Sequence, residues 1–304
     1  MPPVHPTDAS QIPFRVHLTG FGPFRDIKLN PSWIAVQPLE GEVLTKPPPP
    51  LSGPSITTAS SSSSSSSSTP RRQQRRPIEL STSLLPVEYQ AVETLAPKLQ
   101  VQEGHSAAPD LIIHVGVSAG DTAIRLEQRA RKYGYESADA QGRFAKREGG
   151  TLRTGKDEAG DEDAGGGRGG GGEGEGAFGR GGFTGAEWTS APEELRTHVD
   201  AVRVIRWAKE QGVQWISTSE DAGLYLCEYS FFASLATARR LNPDAPTPVQ
   251  FIHVPSLGHP YSAEELTAAL RLLVWGIAEQ FLLGEDELDG DGGGTNGFAH
   301  EQEN

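Results

Sequence analysis

The chain has 304 residues, 36% of them hydrophobic, with 36 glycines, 23 prolines, one cysteine and a formal net charge of −13. The acidic balance argues against nucleic acid as a partner, since phosphate backbones are met by clustered Lys and Arg, and no apolar run is long enough to span a bilayer. A lone Cys227 rules out an intramolecular disulfide and C-x-x-C zinc spacings, so the composition predicts a soluble chain in a reducing, cytoplasmic setting, with no metal or other cofactor.

Residues 1–13 lack the apolar core of a secretory signal and read as a flexible N-terminus. FRVHLTG (14–20) alternates as a strand does, GFGPF forms a glycine-rich turn, and PSWIAVQPLEG (31–41) is a short helical stretch. From about 41 to 77 the chain is proline-rich, then carries nine consecutive serines (60–68) and RRQQRR. Such composition buries no core and reads as a low-complexity insertion. IELSTSLLP (78–86) is a strand and VEYQAVETLAPKLQ (87–100) a helix, with Val87, Ala91, Leu95 and Leu99 at fours and Pro97 in its last turn. LIIHVG (111–116) is the continuous apolar run of a central strand. Residues 140–190 hold half of the 36 glycines and read as a second surface insertion.

Beyond it, DAVRVIRWAKEQG (200–212) is a helix closed by Gly212, and VQWIST (213–218) is a strand. In LYLCEYSFFASLATARR (224–240), Leu224, Cys227, Phe231 and Leu235 have helical spacing, which puts Cys227 in the first turn. VQFIHVP (249–255) is a strand, and the final helix opens on a capping box of Ser262 and Glu265. Residues 285–304 form an acidic tail. The alternation predicts an α/β protein: a single three-layer α/β/α domain over 14–284, with a mostly parallel central sheet and helices on both faces, interrupted by the two insertions.

Several motifs compete for the chemistry. GFGPFR (20–25) begins like a dinucleotide fingerprint, but Arg25 stands where the third glycine must be. GVSAG (116–120) satisfies G-x-S-x-G after a strand, which makes Ser118 a candidate nucleophile; the alternative is a small-residue turn bringing backbone close to a ligand. Cys227 stands at a helix N-terminus, where amides and the dipole favour a thiolate, although free cysteines are also common core residues. His253 closes the next strand and is the candidate base, with His259 as a loop alternative; His17 and His114, within strands, read as core histidines. Glu127 is available to orient the histidine. On this reading Cys, His and Glu come from three strand ends along one edge of the sheet.

Together these segments resemble the pyroglutamyl-peptidase I family of cysteine peptidases. VHLTGFGPFRDIKLNPSWIAVQ, LLPVEYQAV, IIHVGVSAGDTAIRLE, TSEDAGLYLCEYSFFASL and FIHVPSLGHPYSAEEL match five of its motifs in order, covering nearly all of the chain outside the low-complexity blocks. The resemblance implies Cys227 as nucleophile, His253 as base and Glu127 as third triad member. It implies Phe21 and Phe24 as the aromatic pair about a lactam ring, and Asn30 as a polar residue near the pocket. Val117 would offer its backbone, and Tyr225 and Leu226 would line the slot. The implied partners are peptides with an N-terminal pyroglutamate, with neither nucleic acid nor membrane involved; the acidic surface does not choose an oligomeric state. Lys132 departs from the family's asparagine, which keeps a catalytically inactive, pyroglutamate-binding protein as a rival alongside the Ser118 hydrolase.

Overall fold

The computed structural model describes residues 12–24, 27–51, 76–101, 107–147, 180–258 and 260–282. The serine block, the core of the glycine-rich block, Arg25, His259 and the acidic tail lie outside these residues. Among the described residues the main sheet contains β1 (Phe14–Phe21), β2 (Val43–Leu44), β3 (Ile78–Leu85), β4 (Leu111–Val117), β5 (Ile124–Glu127), β8 (Ile216–Ser219) and β9 (Val249–Val254). Their spatial order is β2-β3-β1-β4-β9-β5-β8. A separate ribbon pairs β6 (Arg129–Arg131) with β7 (Glu194–Arg196). The central pairs β3-β1, β1-β4 and β4-β9 are parallel, as is β5-β8, while β2-β3 and β5-β9 are antiparallel.

Among the described residues, five α-helices flank the sheet: α1 (Pro31–Val36), α2 (Tyr89–Leu99), α3 (Ala201–Glu210), α4 (Leu226–Leu241) and α5 (Ala263–Leu282). The period-two alternation of strands decides what each face receives. Val16 and Leu18, Leu111, Ile113 and Val115, Ile124 and Leu126, and Ile252 and Val254 all enter one core with α1, α3 and α5. The intervening positions, including Phe21, Ile112 and Phe251, face the second core, with α2 and α4. The mostly parallel, three-layer α/β/α arrangement is therefore present, and its two faces carry different chemistry: aliphatic beneath α5, polar and aromatic beneath α4.

Local signals explain the helix ends. Asp200 accepts from the Arg203 amide to start α3, and Gly212 closes it with φ of 93°. A Cβ there would come within 2.5 Å of the Leu51 carbonyl oxygen, so glycine is required twice over. Ser262 and Glu265 make the reciprocal capping bonds at 2.7 and 3.2 Å. Two details differ from the sequence reading. The buried stripe of α2 is Tyr89, Val92 and Ala96, with Leu95 and Leu99 only partly covered, because Val87 precedes the helix rather than opening its face. The ordered chain also reaches into the glycine-rich block, where Ala145, Phe183 and Trp188 are buried in the α2–α4 core.

Candidate active site

His253, Phe251, Glu127 and Arg125 share the sheet face that α4 covers, because directly paired residues of β5 and β9 point the same way. Glu127 stands opposite Phe251 and His253 opposite Arg125, making Glu127 and His253 diagonal neighbours. His253 Nδ1–H donates to Glu127 Oε1 at 2.8 Å. Glu127 is fully buried, and its Oε2 accepts no hydrogen bond from the described residues. A buried carboxylate left in this state favours a cation beside it.

The expected route to this grouping needs correction. Glu127, His253 and the strand before Cys227 do not end along one edge, because β5 and β8 run antiparallel to β9. Glu127 reaches the histidine diagonally across the β5-β9 pair, and Cys227 reaches it through the 220–225 loop that leads into α4.

Cys227 is the second residue of α4, half-buried and close enough to His253 for the two to interact electrostatically. Burial opposes the imidazolium, but a negative charge on the Cys227 sulfur, together with Glu127, outweighs it and pushes His253 up to about 10. With Nδ1 committed to Glu127, Nε2 is the nitrogen that serves the sulfur. Gly116 makes room for this contact. A Cβ at that position would lie 2.8 Å from Cys227 Sγ and 2.7 Å from Phe251 Cζ.

The loop into α4 is held unusually. Leu224 has φ of 45°, a left-handed conformation that disfavours a side chain, and follows Gly223 at 93°. Tyr225 is the N-cap but supplies no side-chain bond to the first-turn amides. The loop is instead tied by Glu228, whose Oε2 accepts from the Leu224 amide at 2.9 Å. Glu228 also receives Arg131, from its amide at 2.9 Å, its Nε at 2.6 Å and its Nη2 at 2.8 Å.

A cleft of about 320 Å³ opens over Cys227 and His253, walled by Val117–Ala119 and by Ala222, Gly223 and Tyr225, with Asp121, Arg125 and Asp221 at its polar side. Val117 and Tyr225 thus both line this cleft. Phe24 is half-buried with its ring 5.3 Å from that of Tyr225. Phe21 is 3% exposed and Leu226 1%, both within the α2–α4 core beneath the cleft. Asn30 directs its amide to the Gly22 carbonyl and its oxygen to Ser32, so it braces the Phe21–Phe24 turn rather than facing the cleft. Ser118 lines the cleft, but its hydroxyl donates to Asp121 at 2.5 Å, a carboxylate and not an imidazole. Lys132, 5% exposed, gives its ammonium to the Ala191 carbonyl at 3.1 Å and pins the chain that returns from the glycine-rich block.

His114 and His17 are satisfied within the sheet: His114 between Thr19 and Ser234, His17 between Ser81 and Ser83. Sequence reasoning missed Phe251, Arg131 and Glu228, and took Gly116 only as the start of a small-residue turn. Of the three missed, only Glu228 carried a visible sign, a carboxylate one residue beyond the cysteine in an otherwise apolar helix start. No group of three or more His, Cys, Asp or Glu among the described residues is arranged to hold a metal ion, and no helix among them is long and apolar enough to cross a membrane.

No family model matches the chain. It is 29% identical over 269 residues to rat pyroglutamyl-peptidase 1, covering 87% of this chain and 91% of that protein. The human pyroglutamyl-peptidase 1 is 29% identical over 260 residues, with 85% and 87% covered. The fold superposes on pyroglutamyl peptidase I of Bacillus amyloliquefaciens with a TM-score of 0.55 at 19% identity, covering 87% of this chain and 97% of that one. A mutant pyrrolidone carboxyl peptidase of Pyrococcus furiosus gives 0.56 at 19%, covering 88% and 99%. Nearly the whole length of each relative is therefore matched, and the chain is a homologue of the pyroglutamyl-peptidase I enzymes.

Proposed function

We propose that the chain is a cysteine omega-peptidase that removes an N-terminal pyroglutamate from peptides. The observation that carries this reading is the buried Glu127–His253 pair lining one open cleft together with the Cys227 thiol. His253 takes the thiol proton and Glu127 holds the resulting imidazolium. The Cys227 sulfur attacks the carbonyl that joins pyroglutamate to the next residue, and the oxyanion is met by backbone amides at the start of α4. As the tetrahedral species collapses, His253 gives its proton to the leaving amine, the C–N bond breaks and a thioester remains. Water, deprotonated by His253, hydrolyses the thioester to release pyroglutamate and restore the thiol.

Substrate choice follows from the walls. Pyroglutamate is a small, flat, uncharged ring with one amide donor and one acceptor. The Tyr225 ring, with Phe24 packed beside it, and the Val117 backbone suit such a group. An uncyclised Glu or Gln would have to desolvate a charged amine against these rings, which disfavours it.

Pyroglutamyl-aminomethylcoumarin, presented beside the free-amine Glu and Gln analogues, tests the reading. Turnover of the pyroglutamyl compound alone, lost after iodoacetamide, is the expected result. A folded protein that binds but does not cleave would replace the reading with the inactive binding protein. Cleavage that survives alkylation and is lost in Ser118→Ala would transfer the role to Ser118.

A further inference from the structure

The mechanism above leaves one buried charge without a role. Glu228 is 0% exposed, directly follows the nucleophile and accepts four hydrogen bonds, three from Arg131 and one from the Leu224 amide. Arg131 also pairs with Asp221, whose carboxylate in turn accepts from the Gly223 amide at 3.2 Å. One guanidinium on the β6 strand therefore grips both ends of the loop that runs from Asp221 to the first turn of α4. Between those ends lies Leu224, held at a positive φ that a leucine adopts only under constraint. Its side chain is pressed over Gly134, where an added Cβ would approach it to 3.1 Å. The Leu224–Tyr225 step sets the direction of the amides that open α4, and the N-cap side chain does nothing to fix them.

From this juxtaposition, and resting on the peptidase reading, we infer that Glu228 with Arg131 is a positioning pair that aims the first-turn amides of α4 at the oxyanion. Neither residue touches the reacting atoms; both act through the turn. An isolated carboxylate beside a nucleophilic sulfur would disfavour the thiolate, and the bidentate guanidinium neutralises it.

Glu228→Gln separates this role from simple support. Glutamine keeps the shape but has a single acceptor oxygen for donors that approach both sides, so Arg131 faces an NH₂ in either orientation and the Leu224 amide does in one of them. Two rates are then read on folded protein with an unchanged circular dichroism spectrum. Acyl transfer needs the oxyanion amides, whereas alkylation of Cys227 by iodoacetamide forms no oxyanion. The expected result is a fall in kcat on the order of 10²-fold, with the alkylation rate above its midpoint within about threefold of wild type and the midpoint itself not raised, since the freed Arg131 favours the thiolate. Arg131→Lys, which cannot span both acids with a planar fork, should fall in the same direction.

Either variant retaining kcat within about threefold of wild type would overturn the inference. So would a parallel loss of turnover and of the alkylation pH profile, which would make the pair a fold support only. Wild-type protein that cleaves no pyroglutamyl substrate would remove the peptidase reading itself, an outcome distinct from an active wild type and an active variant.

Discussion

His114 and His253 lie on neighbouring strands, point to the same face of the sheet and are nearly out of water, at 0% and 6% exposure. Their imidazoles are nonetheless driven in opposite directions. His114 has only hydroxyl partners, Thr19 and Ser234 at 2.7 Å each, and burial lowers it to about 3. His253 has a buried carboxylate on one nitrogen and the Cys227 sulfur nearby, and their negative charge raises it to about 10 against the same desolvation. Burial alone does not make a base or an acid; the identity of the two flanking groups does. The pair of strands thus holds one neutral, structural histidine and one poised to carry charge.

The largest effects should come from dismantling the charged side of this contrast. His253→Ala and Cys227→Ala should each lower kcat by roughly 10³-fold or more; Cys227→Ala should keep the melting temperature close to wild type, whereas His253→Ala, which leaves Glu127 buried and unpaired, should lower it. Substantial activity in either folded variant would transfer the chemistry elsewhere in the cleft. Glu127→Gln is expected to cost on the order of 10²–10⁴-fold in kcat. It should also bring the His253 titration, followed by NMR, down toward the behaviour of His114. An unmoved titration would mean that the thiol alone sustains the imidazolium.

A smaller loss is expected from Gly116→Ala. The new methyl would sit under 3 Å from both Cys227 Sγ and Phe251 Cζ, at 2.8 and 2.7 Å, and neither neighbour is the end of a long flexible chain. Overpacking of this kind costs about 1–3 kcal/mol. The sulfur is the atom with room to move, toward the cleft and away from His253 Nε2. Alkylation rate and kcat should therefore fall together, in contrast to the split expected for Glu228→Gln.

Much of this arrangement was legible in the residues. The strand–helix alternation, the capping box and the Cys227, His253 and Glu127 candidates all follow from pattern and resemblance. What the pattern hid was direction. IRLE (124–127) is a four-residue strand too short to announce itself, and its antiparallel pairing with β9 is a tertiary choice. The assumption of three strand ends along one edge failed for that reason. Similarly, Phe183 and Trp188 lie in a glycine-rich neighbourhood whose composition masks two core residues. LIIHVG reads as uniformly apolar, yet its alternate positions divide cleanly, Ile113 and Val115 into the aliphatic core, His114 and Gly116 toward α4. Glu228 was missed because a carboxylate in a first helical turn is ordinarily a solvated contribution to the dipole; only the fold brings Arg131 against it.

The smallest effect on activity, and the sharpest check on the neutral side of the contrast, concerns His114 and acid. Its folded pKa of about 3 lies below the ordinary value of 6.5. Above pH 6.5 neither the folded nor the unfolded chain holds the proton, and the contribution to stability is complete. As pH falls, the unfolded chain takes up a proton that the folded chain refuses until about pH 3, so stability declines across that window. The slope is at most about 1.4 kcal/mol per pH unit for one group. His114→Gln can still bond to both hydroxyls but cannot titrate, so denaturant unfolding should show a shallower decline between pH 6.5 and 3 than wild type. His253 works in the opposite sense: its contribution is full below pH 6.5 and is lost as pH rises toward 10, so the His114 substitution should leave the alkaline limb unchanged. Identical acid slopes in the variant and the wild type would show that His114 accepts its proton in the folded state, and that the hydroxyls at 2.7 Å do not hold it neutral.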